Sequence, residues 1–464
     1  MVRPLVLALL GVASACGGHT NQAVSASPAR AAKPARGLAR ETPAPAAPAP
    51  AAAEFVRVSG KHFTLRGAPH RFVGVNFWYG AYLAADGDIG DLERLRAELA
   101  ALRTLGITNL RVLGASEASP MKDAIQPSFR GPGRDYNETL LVGLDRLLAE
   151  MAALDLKAVI YLNNFWGWSG GMGTYLSWVN GGKFVDMSDP KKPWPAYPLF
   201  TMQFYDDARA NALYQDYMQA VILRTNSVTG VAYKDDPTIM AWQLANEPRP
   251  GHDTKPGKHV LPAFYRWVDE SAAFIKSLDP SHLVSSGNEG SMGCVEHDPC
   301  FIEAHSSQHI DYLTLHLWPQ NWGWLDARDI DATAARAVEK SGEYLDRHIA
   351  AAETLGKPLV LEEFGWPRDG AALHPVASTR SRDRFFRFVF DRVEKAAAAG
   401  RPLAGSNVWA WGGFGRAAHA DMRWRHGDTS YIGDPPHEPQ GWYSVFDTDA
   451  STLELLRAHA KALE

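Results

Sequence analysis

Asn246-Glu247-Pro248 ends the apolar run Ile239-Met240-Ala241-Trp242-Gln243-Leu244-Ala245, and Glu362-Glu363-Phe364-Gly365 ends the run Pro358-Leu359-Val360-Leu361. In each, a carboxylate stands where a strand-like segment runs out into a loop. A single Glu in such a place is most often an ordinary surface residue. Two of them, each set among Trp, Asn and Gly, have the makings of glycosidic bond cleavage. That reaction needs one acid to protonate the leaving oxygen and one carboxylate to attack the sugar or to activate water.

Such a pair needs a scaffold that brings distant segments together. Eight strand-like runs are present: Phe72–Asn76, Ile107–Val112, Ala158–Leu162, Ile239–Leu244, Leu283–Ser286, Tyr312–His316, Leu359–Glu362 and Gly405–Trp409. Helical periodicity fills the intervals. Leu92, Leu95, Leu99, Leu102 and Leu105 share one face, as do Leu140, Leu144, Leu147, Met151 and Leu154 behind Asn137, a candidate N-cap. Continuous apolar strands alternating with helices predict an α/β fold, a (β/α)8 TIM barrel with its active site at the C-terminal ends of the strands. An open doubly wound sheet would carry a Gly-rich phosphate loop after its first strand, and Gly74-Val75-Asn76-Phe77-Trp78 is not one. Ahead of the barrel, Val56–Val58 and Phe63–Leu65 read as a small hairpin.

The barrel makes the strand ends the place to look. They carry Asn76 and Trp78; Arg111; Asn163, Asn164, Trp166 and Trp168; Asn246 and Glu247; Glu289; His316 and Trp318; Glu363; and Trp409 with Trp411. Each polar residue alone is an unremarked loop cap. Together they form one polar and aromatic rim. Strand alternation points Glu362 away from Glu363 and gives it a structural part.

The chain has 464 residues, 46% of them hydrophobic, and a formal charge of −5, which offers no electrostatic case for nucleic acid. Residues 1–16 read as a lipoprotein-type signal peptide: Arg3, the short apolar run Leu5–Ala15, then Val12-Ala13-Ser14-Ala15-Cys16, which resembles a bacterial lipobox with Cys16 as the lipidated residue. Ordinary secretory cleavage is the alternative, and either route exports the protein. Residues 17–53 are rich in Ala and Pro and read as a flexible linker, leaving residues 54–464 as the catalytic domain. Cys294 and Cys300 are the remaining cysteines, and in an oxidising compartment they are disulfide candidates. With His297 they make only three candidate ligands, so a zinc site is not expected.

The chain resembles glycoside hydrolase family 5 of clan A, and within it the bacterial endo-β-1,4-mannanases of subfamily 7, from about Phe72 to Thr452. The segments that carry the resemblance are Asn163-Asn164-Phe165-Trp166-Gly167-Trp168-Ser169-Gly170-Gly171-Met172, Gln243–Arg249, His316–Trp324, Glu362–Gly365, Asn407–Gly413, Gly433–Pro436 and Gln440–Asp447. The resemblance implies a retaining double displacement with Glu247 as acid/base and Glu363 as nucleophile, using no metal or cofactor. It implies that Arg111 stabilises the nucleophile, Asn246 meets the sugar 2-hydroxyl, His316 orients polar groups and Trp409 floors the cleavage point. Asn163, Trp166, Trp318 and Trp411 complete the candidate substrate-binding set. Many members have Tyr where Trp318 stands, and an indole donates one hydrogen bond but accepts none. The implied substrate is β-mannan or manno-oligosaccharide, the implied membrane contact is the lipid anchor alone, and a monomer is expected. An exo-acting β-mannosidase and a β-1,4-glucanase (cellulase) stay open on the same chemistry. A non-enzymatic glycan-binding lipoprotein is the reading of another class, and it would have no use for both Glu247 and Glu363. The stretch from Ser169 to Met202 is long enough to wall off one end of the groove.

Overall fold

The computed structural model describes residues 55–252 and 255–464. The expected signal peptide, Cys16 and the Ala/Pro linker lie outside the described residues.

Eight parallel strands form the centre. They are β4 (Phe72–Asn76), β5 (Asn109–Leu113), β6 (Lys157–Tyr161), β7 (Ile239–Gln243), β8 (Leu283–Ser285), β9 (Leu313–Leu317), β10 (Leu359–Phe364) and β11 (Leu403–Val408). They pair in the order β8-β7-β6-β5-β4-β11-β10-β9. No ladder joins β8 to β9. The seam is closed instead by Asp311 N–H donating to Val284 O at 2.8 Å, His316 N–H to Glu289 O at 3.1 Å and the Thr314 hydroxyl to Asn288 O at 2.7 Å. All eight expected strands are present, every residue of them buried. Burial on both faces explains why these strands read as unbroken apolar runs.

The intervening helices behave as their periodicity requires. Helix Leu92–Thr104 turns Leu95, Leu99 and Leu102 to the barrel and is capped by the Asp91 side chain. Helix Glu138–Ala153 buries Leu140, Leu144, Leu147 and Met151, and the Asn137 side chain accepts from the backbone of Thr139 and Leu140, the N-cap expected of it. The amino-terminal hairpin gains a strand, becoming a meander of β1 (Arg57–Ser59), β2 (His62–Leu65) and β3 (Ala68–His70). Val56 and Phe63 from it pack with Phe72, Val159, Met240, Leu283, Tyr312 and Val360, closing the bottom of the barrel. At the other end, β12 (Trp411–Gly413) and β13 (Val445–Phe446) pair outside the barrel and pin the two ends of the long loop that follows β11.

Candidate active site

The strand exits supply the site. Glu247 follows β7 with its backbone in the left-handed region at φ 50°, a conformation that costs a non-glycine residue on the order of 1–3 kcal/mol. Its N–H donates to Gly287 O at 2.9 Å, which holds the turn. Glu363 lies inside β10, whose pairing with β9 shifts register between Leu361 and Glu363. This bulge overturns the expected alternation. Two consecutive residues now face inward, so Glu362 lies under the site beside Glu363 rather than opposite it. There Glu362 Oε1 accepts from the Gln243 amide at 2.6 Å, and Oε2 lies 3.4 Å from Arg111 Nε.

Arg111, fully buried on β5, ties the floor together. Its Nη1 donates to Glu363 Oε1 and to Asn76 Oδ1, its Nη2 to Asn246 Oδ1 at 2.8 Å and its Nε to Gln243 Oε1 at 2.8 Å. The guanidinium lies over the Tyr161 ring, 4.6 Å from its centre. His316 Nδ1 stands between the two carboxylates, 2.6 Å from Glu247 Oε1 and 3.2 Å from Glu363 Oε2. One oxygen of each carboxylate and the His316 nitrogen lie within 4.8 Å of one another. This is the only cluster among the described residues with the composition of a metal site. Its acceptor atoms are already served by Arg111, His316 and two indoles, and the guanidinium brings positive charge where a cation would have to sit.

The Glu247 carboxylate accepts from Trp166 Nε1 at Oε2 and from Trp318 Nε1 at Oε1, the latter at 3.3 Å. Trp318, standing where many members have Tyr, therefore spends its one N–H on Glu247. Trp318 also packs edge-on to Trp409, with ring centres 5.9 Å apart. The loop carrying Trp166 is held from beneath. Asn164 accepts from Trp166 N–H and from Asn246 Nδ2, and Glu117 accepts from Gly171 N–H at 2.6 Å. A Cβ on Gly171 would meet Asn164 O at 2.1 Å, and φ 66° there suits only glycine without strain.

Charge in this cluster is tightly shared. Burial opposes a charge on His316, but Glu363, Glu247 and Glu362 around it outweigh that and hold its pKa well above the ordinary value. Burial alone would raise Glu247. The hydrogen bond and charge of His316, with Arg249 and the Trp166 indole, bring it down to about 2. Burial pushes Glu363 up, partly offset by His316 and Arg111. The surroundings thus favour the charged imidazolium of His316 and the ionised form of Glu247.

A cavity of 540 Å³ opens above these groups. Of the strand-end residues named from sequence, Trp166, Trp168, Asn246, Glu247, Glu289, Trp318, Glu363 and Trp409 line it. Arg111 and His316 are fully buried and act on the carboxylates from below. Asn163 and Trp411 do not reach the cavity, contrary to expectation. The Asn163 side-chain Oδ1 accepts from Asn164 N–H at the strand exit, and Trp411 is buried where β12 pairs with β13. Sequence reasoning missed Trp194, Arg249, His437 and Glu438, all of which line the cavity. Arg249 and Glu438 sit in or beside segments already singled out, whereas nothing in the local pattern marked Trp194. Cys294 and Cys300 are bonded, and their loop brings Met292 and Glu296 to the cavity wall.

A parallel eight-stranded barrel with two buried carboxylates at its strand exits, close enough for one to attack while the other protonates, defines a retaining-type glycoside hydrolase site. The chain belongs to glycoside hydrolase family 5, matching the group described as GH family 5 beta-mannosidase-like over residues 53–464. It is similar to a family 5 mannosidase from Rhizomucor miehei, with 35% identity and a TM-score of 0.81, covering 89% of this chain and 98% of that one. It also resembles the endo-1,4-β-D-mannanase of Thermotoga petrophila RKU-1, with 27% identity, a TM-score of 0.59 and coverage of 84% and 99%. Among curated relatives, "Putative mannan endo-1,4-beta-mannosidase 9" of Oryza sativa subsp. japonica is 32% identical over 366 residues, covering 77% of this chain and 81% of the relative. "Mannan endo-1,4-beta-mannosidase 1" of Solanum lycopersicum is 31% identical, covering 76% and 83%.

Proposed function

We propose that this chain is an endo-β-1,4-mannanase that cleaves internal β-1,4-mannosidic bonds with retention of configuration. The observation that carries the reading is the pair Glu247 and Glu363, within 4.8 Å and bridged by His316. Retaining enzymes hold their carboxyls about 5–5.5 Å apart, too close to leave room for a water between sugar and base.

In this reading the proton on His316 passes along the 2.6 Å contact to Glu247, which then has an acid to offer the glycosidic oxygen. Glu363 attacks the anomeric carbon, forming a glycosyl ester as the leaving sugar takes the proton from Glu247. Arg111 keeps Glu363 ionised and aimed. Glu247, now a carboxylate, takes a proton from water, and the water's oxygen displaces Glu363 from the sugar. Asn246, with its oxygen fixed on Arg111, has an amide N–H to offer the sugar 2-hydroxyl. Trp409 and Trp318 supply an apolar floor.

The test compares manno- with cello-oligosaccharides and follows the viscosity of a soluble mannan. Fast loss of viscosity with few new reducing ends supports endo action on mannan, and a preference for cello-oligosaccharides refutes the substrate. The exo-acting β-mannosidase is the second reading. It is favoured by the mannosidase named at TM-score 0.81 and by the wall that His437 and Glu438 make along the cavity. Release of mannose alone, with viscosity unchanged, would establish it.

The ordered motifs support membership of subfamily 7. The lipobox-like run before Cys16 supports an exported, lipid-anchored catalytic domain of residues 54–464. A Cys16→Ser variant should then move to the soluble exported fraction, and native protein with an unlipidated amino terminus would refute the anchor.

A further inference from the structure

All fifteen tryptophans lie among the described residues, and one of them is exposed: Trp194, at 54% of its surface. An exposed indole offers a large, rigid apolar face of the kind used at binding surfaces. Trp194 is also a wall of the catalytic cavity. Its ring lies 6.2 Å from that of Trp166 with planes tilted by 29°, and His252 meets it edge-on at 5.3 Å. A 6.2 Å separation is too wide for direct face-to-face contact, so the two indoles are slipped along each other and each keeps part of its face open. On its other flank Trp166 lies nearly parallel to Tyr197, 6.1 Å away.

The direction of this aromatic row follows from Glu247. Its Oε1 faces His316, Trp318 and so Glu363, while its Oε2 accepts from Trp166. Trp166 is therefore on the side of the acid/base away from the nucleophile. The group that Glu247 protonates is the one that leaves, so the row from Trp166 to Trp194 runs beside the departing chain. The long segment between Ser169 and Met202 puts Trp194 there.

We propose that Trp194 is the outer platform of the leaving-group side, stacking the apolar face of a sugar beyond the one directly joined to the scissile oxygen. This rests on the mannan-hydrolase reading and adds to it a specificity determinant: affinity for substrates with at least two sugars on the leaving side. The inner position is served by Trp166 and by Arg249, whose guanidinium lies 5.3 Å from the Trp166 ring.

The experiment compares Trp194→Ala and Trp194→Phe with wild type on mannohexaose and on an aryl β-mannobioside. The aryl group fills only the inner leaving-side position. For Trp194→Ala, kcat/KM on mannohexaose should fall about tenfold, mostly through KM, with the aryl substrate unaffected and Phe recovering most of the loss. Cleavage of mannohexaose should also shift toward bonds that leave fewer sugars on that side. Unchanged mannohexaose kinetics overturn the platform, and so do equal losses on both substrates, which mark a role in folding alone. A wild-type enzyme that turns over neither mannan nor manno-oligosaccharides overturns the substrate reading itself, and the platform with it.

Discussion

Replacing Glu117 by Gln should make the protein more stable at pH 8 and leave it nearly unchanged at pH 4. Glu117 is fully buried beneath the Trp166 loop. Burial raises its carboxyl to about 7, against 4.5 for the free group, with the Gly171 N–H and Arg130 offsetting part of the rise. A group whose acid form is favoured in the fold binds its proton more tightly there than in the unfolded chain. Stability is therefore intact below pH 4.5, falls as pH rises towards 7, and levels off above. The gap corresponds to about 3 kcal/mol, at about 1.4 kcal/mol per pH unit. A Gln at this position keeps an oxygen for Gly171 N–H and has no charge to bury. Urea unfolding followed by tryptophan fluorescence at pH 4, 6 and 8 measures the difference directly. A variant equally stabilised, or equally destabilised, at all three values would refute the assignment of the cost to ionisation of Glu117.

Glu247→Ala should keep much of its rate of glycosyl-enzyme formation on substrates with activated leaving groups while losing at least about 100-fold on mannan, since only a poor leaving group needs the proton; equal losses on both would move the acid elsewhere. Arg111→Met should destabilise by about 3–5 kcal/mol, because it leaves the buried carboxylates of Glu362 and Glu363 to share the single charge of His316; a thermal shift near zero contradicts that account. Reducing Cys294–Cys300, six residues apart, should cost roughly 2 kcal/mol by chain entropy. Intact mass before and after reduction establishes the bond, and unfolding midpoints measure its contribution.

Much of the fold was written in patterns that survive without tertiary information. Strands buried on both faces must be apolar throughout, which is why β4 to β11 could be counted from the chain. The carboxylates were legible because each ends such a run. What failed was anything set by register. A bulge between Leu361 and Glu363 turned Glu362 inward, and no residue type announces a bulge there. Asn163 and Trp411 shared the composition of the rim yet were taken up by local hydrogen bonding and strand pairing. His437, Glu438 and Trp194 come from long loops whose course depends on distant anchors, such as the Trp78 indole donating to Gly433 O at 2.9 Å. Their place in the cavity could be seen only once the loops were closed.

The central claim is that Glu363 attacks the sugar and Glu247 serves it with protons. Incubation with 2-deoxy-2-fluoro-β-mannosyl fluoride, followed by peptide mass mapping, tests it most directly, because the 2-fluorine slows both steps while the anomeric fluoride, a good leaving group, keeps formation of the ester faster than its release. The account predicts one mannosyl adduct, on Glu363, and products first formed in the β configuration. An adduct on Glu362 or Glu247, or products first formed as α anomers, would contradict it.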